Sequence, residues 1–250
     1  MKIKLILSIT AAVIALSAAG CGSNTEKSAQ EETAQPTAVP VRTLTLTAAG
    51  DCTFATDDYA DPDLGFNAYA KEYGTDYFLK NVKDIFSDDD ITLVNFEGAL
   101  SKNGTRANKQ FAFRGDPSYV NVLTSSSVEA ANLANNHSGD YGETALNDTR
   151  DILEENGIIT CRGKYNVTVG DVNGIRTGFV GINYLNDEMK KELEDAINVA
   201  KNANAELIIL SMHWGIEKEN YPNDEQIEAA HRAIDCGADV VIGTHPHVLQ

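Results

Sequence analysis

Five short segments combine carboxylate, amide and imidazole side chains in a way that suits a divalent cation: Gly50-Asp51, Asn95-Phe96-Glu97, Asn135-Asn136-His137, His213-Trp214-Gly215 and His245-Pro246-His247. Carboxylate oxygens and neutral imidazoles bind hard or borderline ions such as Mn²⁺, Fe²⁺ or Zn²⁺. Asp51, Glu97, Asn136, His213, His245 and His247 supply that mixture without a thiolate. Four of the five histidines fall in these segments, and the fifth, His231, reads as a helix-surface or packing residue. Each segment alone has a plainer reading. Asp51 after Gly50 suits a turn or a cap, Asn95 and Glu97 suit the start of a loop, Asn135-Asn136 suits a turn, and His213 suits a satisfied buried imidazole. His245 and His247 stand two residues apart, and in an extended segment such side chains point the same way and share a site. As an ordered set the segments favour a metal site over coincidence.

Such residues need elements that bring them together. Each segment follows an apolar run that reads as a buried strand: residues 44–49, 91–94, 128–134, 207–212 and 240–242. Side chains at strand exits gather along one edge of a sheet, which is how a metal centre is assembled from positions far apart in the chain. Helices are expected over residues 143–156, with Gly157 as the stop, over 187–203, and over 224–236, with Asn223 or Asp224 as cap and Gly237 past the end. Asn173-Gly174, between strand-like residues 165–169 and 175–182, signals a hairpin. The alternation predicts an α/β layered fold with both parallel and antiparallel strands.

Composition sets the outer bounds. Lys2 and Lys4 precede an apolar stretch at residues 5–19, short of the ~20 residues a spanning helix needs and matched to a secretory leader. Ala18-Ala19-Gly20-Cys21 resembles a bacterial lipoprotein processing site, which predicts a leader over residues 1–20, a lipid on Cys21 and anchorage at the outer face of the bacterial cell membrane. Residues 21–41, rich in Gln, Glu, Thr, Ala and Pro, read as a disordered tether. Residues 42–250 are long enough for one domain with a substantial core. Cys52, Cys161 and Cys236 then remain, an odd number without metal-type spacing, so no disulfide framework is expected. The formal charge of −17 becomes −19 once Lys2 and Lys4 leave with the leader. That balance argues against nucleic acid as a partner, because phosphate binding needs a basic surface. The acidic run Asp57, Asp58, Asp61 and Asp63 lacks the Gly and Glu of a calcium loop and reads as a solvated face.

The order of these segments resembles the CapA capsule-synthesis family, named for poly-γ-glutamate production and related to calcineurin-like metallophosphoesterases. The matching stretches are Ala49-Gly50-Asp51, Val94-Asn95-Phe96-Glu97, Ala134-Asn135-Asn136-His137 with Asp140-Tyr141-Gly142, His213-Trp214-Gly215-Ile216-Glu217, and Gly243-Thr244-His245-Pro246-His247-Val248. The resemblance implies a metallophosphoesterase-like sandwich holding one or two divalent ions. In it Asp51 is the first-motif ligand, Glu97 the bridging carboxylate, Asn136 the amide ligand, His213 an imidazole ligand, and His245 and His247 the closing pair. It further implies that His137 protonates a leaving group, with Asp140 orienting it. Asn95 and Glu217 would stand behind the ligands, Glu217 orienting His213. Trp214 reads as a cleft wall or as core packing. Members of the family usually continue beyond the His-Pro-His segment, so C-terminal sequence is expected to be missing.

One position departs from the superfamily. Its phosphoesterases have Asp-x-His in the first motif, whereas Asp51 is followed here by Cys52 and Thr53, so one metal position lacks an imidazole. Whether the chain is an enzyme is therefore open at this level. The expectations are a membrane-tethered, metal-binding protein acting outside the cytoplasm in synthesis, export or attachment of an anionic polymer, with the polymer and capsule synthase subunits as partners and metal-dependent phosphoester chemistry if it turns over substrate. The alternatives are a noncatalytic accessory that binds polymer or synthase, and a secreted nucleotidase.

Overall fold

In the computed structural model of the chain, residues 3–6, 41–61 and 63–250 are described. The expected leader, the lipidated Cys21 and the tether lie outside the described residues, save the backbone of Ile3–Ile6. The elements in chain order are β1 (Ile3–Ile6), β2 (Thr43–Cys52), α1 (Phe66–Tyr73), α2 (Lys83–Ser87), β3 (Ile91–Phe96), β4 (Ala99–Leu100), β5 (Arg114–Gly115), α3 (Val120–Thr124), β6 (Ala130–Asn132), α4 (Gly142–Glu155), β7 (Ile159–Cys161), β8 (Thr168–Val172), β9 (Ile175–Asn183), α5 (Asp187–Lys190), α6 (Leu193–Asn202), β10 (Leu207–His213), α7 (Asp224–Cys236) and β11 (Val240–Thr244). Among the described residues, no helix is long and apolar enough to cross a membrane.

Strand alternation explains the layers. In β3, Ile91 and Leu93 join a cluster with Leu44 and Leu46 of β2, Phe179 of β9 and Leu207 and Ile209 of β10, so these residues form the core between two sheets. Val94 and Phe96 face the other way, with Val122 and Leu123 of α3 and Leu153 of α4. In β10, Ile208, Leu210 and Met212 pack on Leu193, Ala196 and Ile197 of α6 and on Ala229 and Ala233 of α7. The result is helices, sheet, sheet, helices, the layered mixed α/β sandwich expected from the sequence. The first sheet has the order β1-β2-β3-β6-β7 and the second β11-β10-β9-β8. β2, β3, β6 and β7 run parallel, as do β9, β10 and β11, while β1 on β2 and β8 on β9 are antiparallel.

Local signals act as their chemistry requires. Asn173 and Gly174 turn the β8–β9 hairpin with φ of 49° and 75°, the left-handed pair such a turn needs. α7 opens on a capping box between Asn223 and Gln226 and closes on Gly237 at φ 118°. Residues 187–203 form two helices rather than one, α5 and α6, which break at Lys191 and Glu192. There the Glu192 carboxylate turns aside to accept from the backbone N–H of Lys164 at 3.1 Å. The acidic run is not wholly a solvated face: Asp57 pairs with Arg106 at 2.6 Å and accepts from the N–H of Ala112 at 2.8 Å. That guanidinium holds the Asp57 carboxyl well below the usual range.

Gly181 of β9 is where the two sheets approach most demandingly. A Cβ there would sit 2.1 Å from Oδ1 of Asn132 and 2.9 Å from the carbonyl of Cys161. Gly181→Ala is therefore expected to destabilise the fold by roughly 1–3 kcal/mol through overpacking, read as a lower midpoint in chemical denaturation. It should also disturb Asn132, which braces the site described next.

Candidate metal centre

The same alternation that buries Ile91 and Leu93 puts Asn95 on the face between the sheets, and in β10 it puts His213 there after Leu207 and Ile209. Asp51 reaches this face by a different route. The β2–β3 register shifts between Ala48 and Asp51, so that Asp51 pairs with Asn95. This β-bulge adds one residue around Gly50 and turns Asp51 from the helix-covered face to the inter-sheet face. Asn135, Asn136 and His137 follow β6, and His245 and His247 follow β11, so all five segments meet at the C-terminal ends of the parallel strands.

Asn95, fully buried, is the hub. Its Nδ2 donates to Asp51 Oδ1 at 2.7 Å and Glu97 Oε1 at 3.1 Å and faces His213 Nδ1 at 3.2 Å. Its Oδ1 accepts from Nδ2 of Asn132 at 2.9 Å and of Asn135 at 3.2 Å. Nε2 of His213 lies 2.9 Å from Asn136 Oδ1 and 3.5 Å from Glu97 Oε1. Thr244 Oγ1 lies 3.1 Å from His213 Nδ1 and completes its cage.

Among the described residues, two groups of donors are close enough to hold an ion, Asp51 with Glu97 and His213, and Glu217 with His245 and His247, the donor atoms of each lying within 4.8 Å of one another. Asp51 belongs to the first group, yet its Oδ2 is 2.9 Å from Nδ1 of His247 and accepts from the N–H of His245 at 3.2 Å. The carboxylate that touches both groups is thus Asp51, where Glu97 was expected to bridge; the bulge aims Asp51 between them. Glu217 is also placed differently from expectation. It lies with His245 and His247, while His213 is oriented by Asn95, Asn136 and Thr244.

The His-Pro-His segment is not extended. His245 has φ 96° and His247 φ 57°, conformations that side chains other than glycine rarely adopt. The rings are brought together by this turn, 5.9 Å apart, with His245 4.7 Å from the His213 ring. Trp214 is buried in the core with α6 and α7, its indole against Gly243, so of its two readings the structure takes packing. His231 is exposed on α7.

Electrostatics fit a cation. Burial, then the neighbouring Asp51 charge, push Glu97 up to about 8. Burial and the nearby His245, His137 and His247 hold His213 well below the usual imidazole range, and burial also lowers His245. Two close carboxylates among neutral imidazoles are costly unless a positive charge lies between them. Oxygen and nitrogen donors without thiolate suit Mn²⁺, Fe²⁺ or Zn²⁺. Cys52 is next to Asp51 in sequence, but its side chain packs on the helix-covered face with Phe54 and Phe96, apart from both donor groups, and burial and Asp51 push its thiol up to about 12.

The family model described as bacterial capsule synthesis protein PGA_cap matches residues 45–250. The chain belongs to this family. Among curated relatives of this PGA_cap chain, the capsule biosynthesis protein CapA of Bacillus anthracis is 28% identical over 75% of this chain and 53% of its own length. The PGA biosynthesis protein CapA of Bacillus subtilis is 30% identical over 72% of this chain and 53% of its own. The chain spans about half the length of these relatives. A crystal structure of a hypothetical protein from Thermus thermophilus aligns with a TM-score of 0.44 at 19% identity, over 78% of this chain and 67% of that one.

Beside the ligand groups of this PGA_cap chain stands a second constellation. His137 Nδ1 is 2.8 Å from Oδ2 of the fully buried Asp140, whose Oδ1 accepts from Lys109 Nζ at 2.7 Å. The N–H of Phe113 also donates to Asp140 Oδ2, at 2.7 Å, and the Phe113 ring lies 4.6 Å from the imidazole. Lys109 additionally donates to the carbonyl of Asn136 at 2.9 Å. Sequence reasoning missed Lys109, Asn132, Asn135 and Thr244 as parts of the site. Asn132 was in principle readable, since it closes β6 on the same face as Ala130. Lys109 lies in an irregular loop with no periodic signal, and that loop is pinned by the Asp57–Arg106 pair.

Proposed function

We propose that this chain is a membrane-tethered, extracytoplasmic metal-binding protein that serves synthesis, export or attachment of an anionic capsule polymer such as poly-γ-glutamate, and that its centre hydrolyses or transfers a phosphoester. The observation that carries the metal reading is the convergence of Asp51, Glu97, Asn136, His213, His245 and His247 at one edge of two packed sheets. The capsule reading is supported by family membership and by the names of the Bacillus relatives. Divalent ions of the Mn, Fe or Zn type, held by these residues, supply Lewis-acid polarisation and water activation when bound. The chain's own contribution is proton placement. Asp140 takes the Nδ1 side of His137 and leaves Nε2 free to hand a proton to a leaving oxygen, while Lys109 offsets the Asp140 charge.

Metal analysis of the purified chain, paired with a panel of phosphomonoesters and phosphodiesters, tests the reading. His137→Ala is expected to lower turnover by about 10²–10⁴-fold with metal content retained, and unchanged turnover would remove His137 from this role. Thr53, standing where phosphoesterases carry an imidazole, favours a second reading: a noncatalytic accessory whose centre binds polymer or synthase. Bound metal, no turnover across the panel and chelator-sensitive polymer binding would select it.

A further inference from the structure

We infer that Glu217 is a metal ligand, and that with His245 and His247 it forms a second cation position beside that of Asp51, Glu97 and His213. The inference rests on the metal-binding reading above and adds to it a ligand and a stoichiometry. Three observations carry it. The donor atoms of Glu217, His245 and His247 lie within 4.8 Å of one another, compact enough for one ion. The loop bearing Glu217 is tied to the histidine turn, since the N–H of Lys218 donates to the carbonyl of Pro246 at 2.7 Å and that of Trp214 to the carbonyl of Thr244 at 3.2 Å. That loop is also bent to its task. Gly215 at φ 84° sits against the Gln226 side chain, and Lys218 holds φ 65°, a left-handed conformation that a free loop would shed.

The chemistry answers the departure noted in the first motif. Where a superfamily member spends an imidazole two residues after its Asp, this chain has Thr53 there and a carboxylate brought in from the loop after β10. Exchanging imidazole for carboxylate adds a negative charge and a hard oxygen donor, which shifts preference toward Mn²⁺ or Fe²⁺. Asp51, 2.9 Å from His247 and within the first group, makes the two positions neighbours that share one carboxylate. They are not equivalent: Glu97 and His213 are buried, whereas Glu217 and His247 are exposed. The first position should therefore bind tightly and the second more weakly, in exchange with solvent.

Mn²⁺ alone is the probe, titrated into the metal-free chain by calorimetry, with stoichiometry checked by elemental analysis and spin coupling by electron paramagnetic resonance. The wild type is expected to bind two ions in two steps and to show an exchange-coupled signal. In Glu217→Ala and Glu217→Gln the weaker step should fall by at least the roughly 10–100-fold that loss of even an outer partner costs, with the tighter step retained and the coupled signal gone. Circular dichroism confirms that each variant is folded, and the Gln variant keeps the side-chain volume. Two retained ions in both folded variants would overturn the inference. A single ion in the wild type would overturn it as well while leaving the metal-binding reading intact, and no ion in the wild type would overturn both.

Discussion

Asp51→Asn is expected to lower metal affinity and the titration point of Glu97 together. With ions present, the change removes the one carboxylate that touches both donor groups, and Mn²⁺ affinity should drop by more than the roughly 100-fold upper range for losing an outer-shell partner. It also replaces an oxygen that accepts from the N–H of His245 by an amide that offers the same N–H only a donor or a single carbonyl already used by Asn95. Without metal, the variant loses one of two crowded carboxylates, and Glu97 should return toward the ordinary carboxylate range because Asp51 is the largest charge raising it. The check is a calorimetric Mn²⁺ titration alongside an NMR titration of the Glu97 carboxyl. Unaltered Mn²⁺ affinity would remove Asp51 from the centre.

The second large effect is a pH profile that inverts when metal is added. Glu97 titrates near 4.5 when unfolded and about 8 in the fold. Because its folded value is raised, the stability it contributes is fully present below 4.5 and is lost as pH rises toward 8. His213 and His245, lowered by burial, act in the opposite sense: their contribution is present above the ordinary imidazole value near 6.5 and is lost as pH falls. Between 4.5 and 6.5 Glu97 and His213 offset each other and His245 tips the balance downward on acidification, so the metal-free protein should be most stable near pH 6.5. From there to pH 8 the loss from Glu97 outweighs the remaining gain as unfolded His213 and His245 shed their protons, and stability should fall by about 1 kcal/mol, or roughly 2–4 °C in Tm for a chain of this size. Saturating Mn²⁺ should reverse the slope, since the ion binds the deprotonated carboxylate. Thermal melts across this range, with Glu97→Gln as the variant that flattens the metal-free decline, make the comparison. A decline unchanged in that variant would assign it to other groups.

Much of this centre was legible because polar residues interrupt apolar runs at strand ends. Asn95 and His213 follow alternating buried positions, and the cap and stop of α7 are spelled out by Asn223, Gln226 and Gly237. Other parts were not legible for specific physical reasons. A β-bulge is a one-residue shift between two strands, so it has no signature in β2 alone, and it is what turns Asp51 inward. The left-handed turn at His245 and His247 defies the preferences of histidine and is sustained by tertiary contacts, including the bond from Lys218 to Pro246. Residues 187–203 carry a helical pattern throughout, but the Glu192 contact to the β7–β8 loop overrides it. Glu217 looked like a partner of His213 by proximity in sequence, whereas the bent loop carries it to the other pair.

The centre is split across the chain's halves. Asp51, Glu97 and Asn136 belong to the sheet completed by residue 161, and His213, His245 and His247 to the sheet that follows it. As the polypeptide emerges during synthesis, the first half appears with its carboxylates and amide but none of the three imidazoles, and the donor set closes only after residue 247 has cleared the exit and the halves have docked. Cation capture is thereby coupled to maturation. An ion gripping both halves would suppress their partial separation, so resistance to proteolysis should rise with bound metal most in the segments that join one sheet to the other.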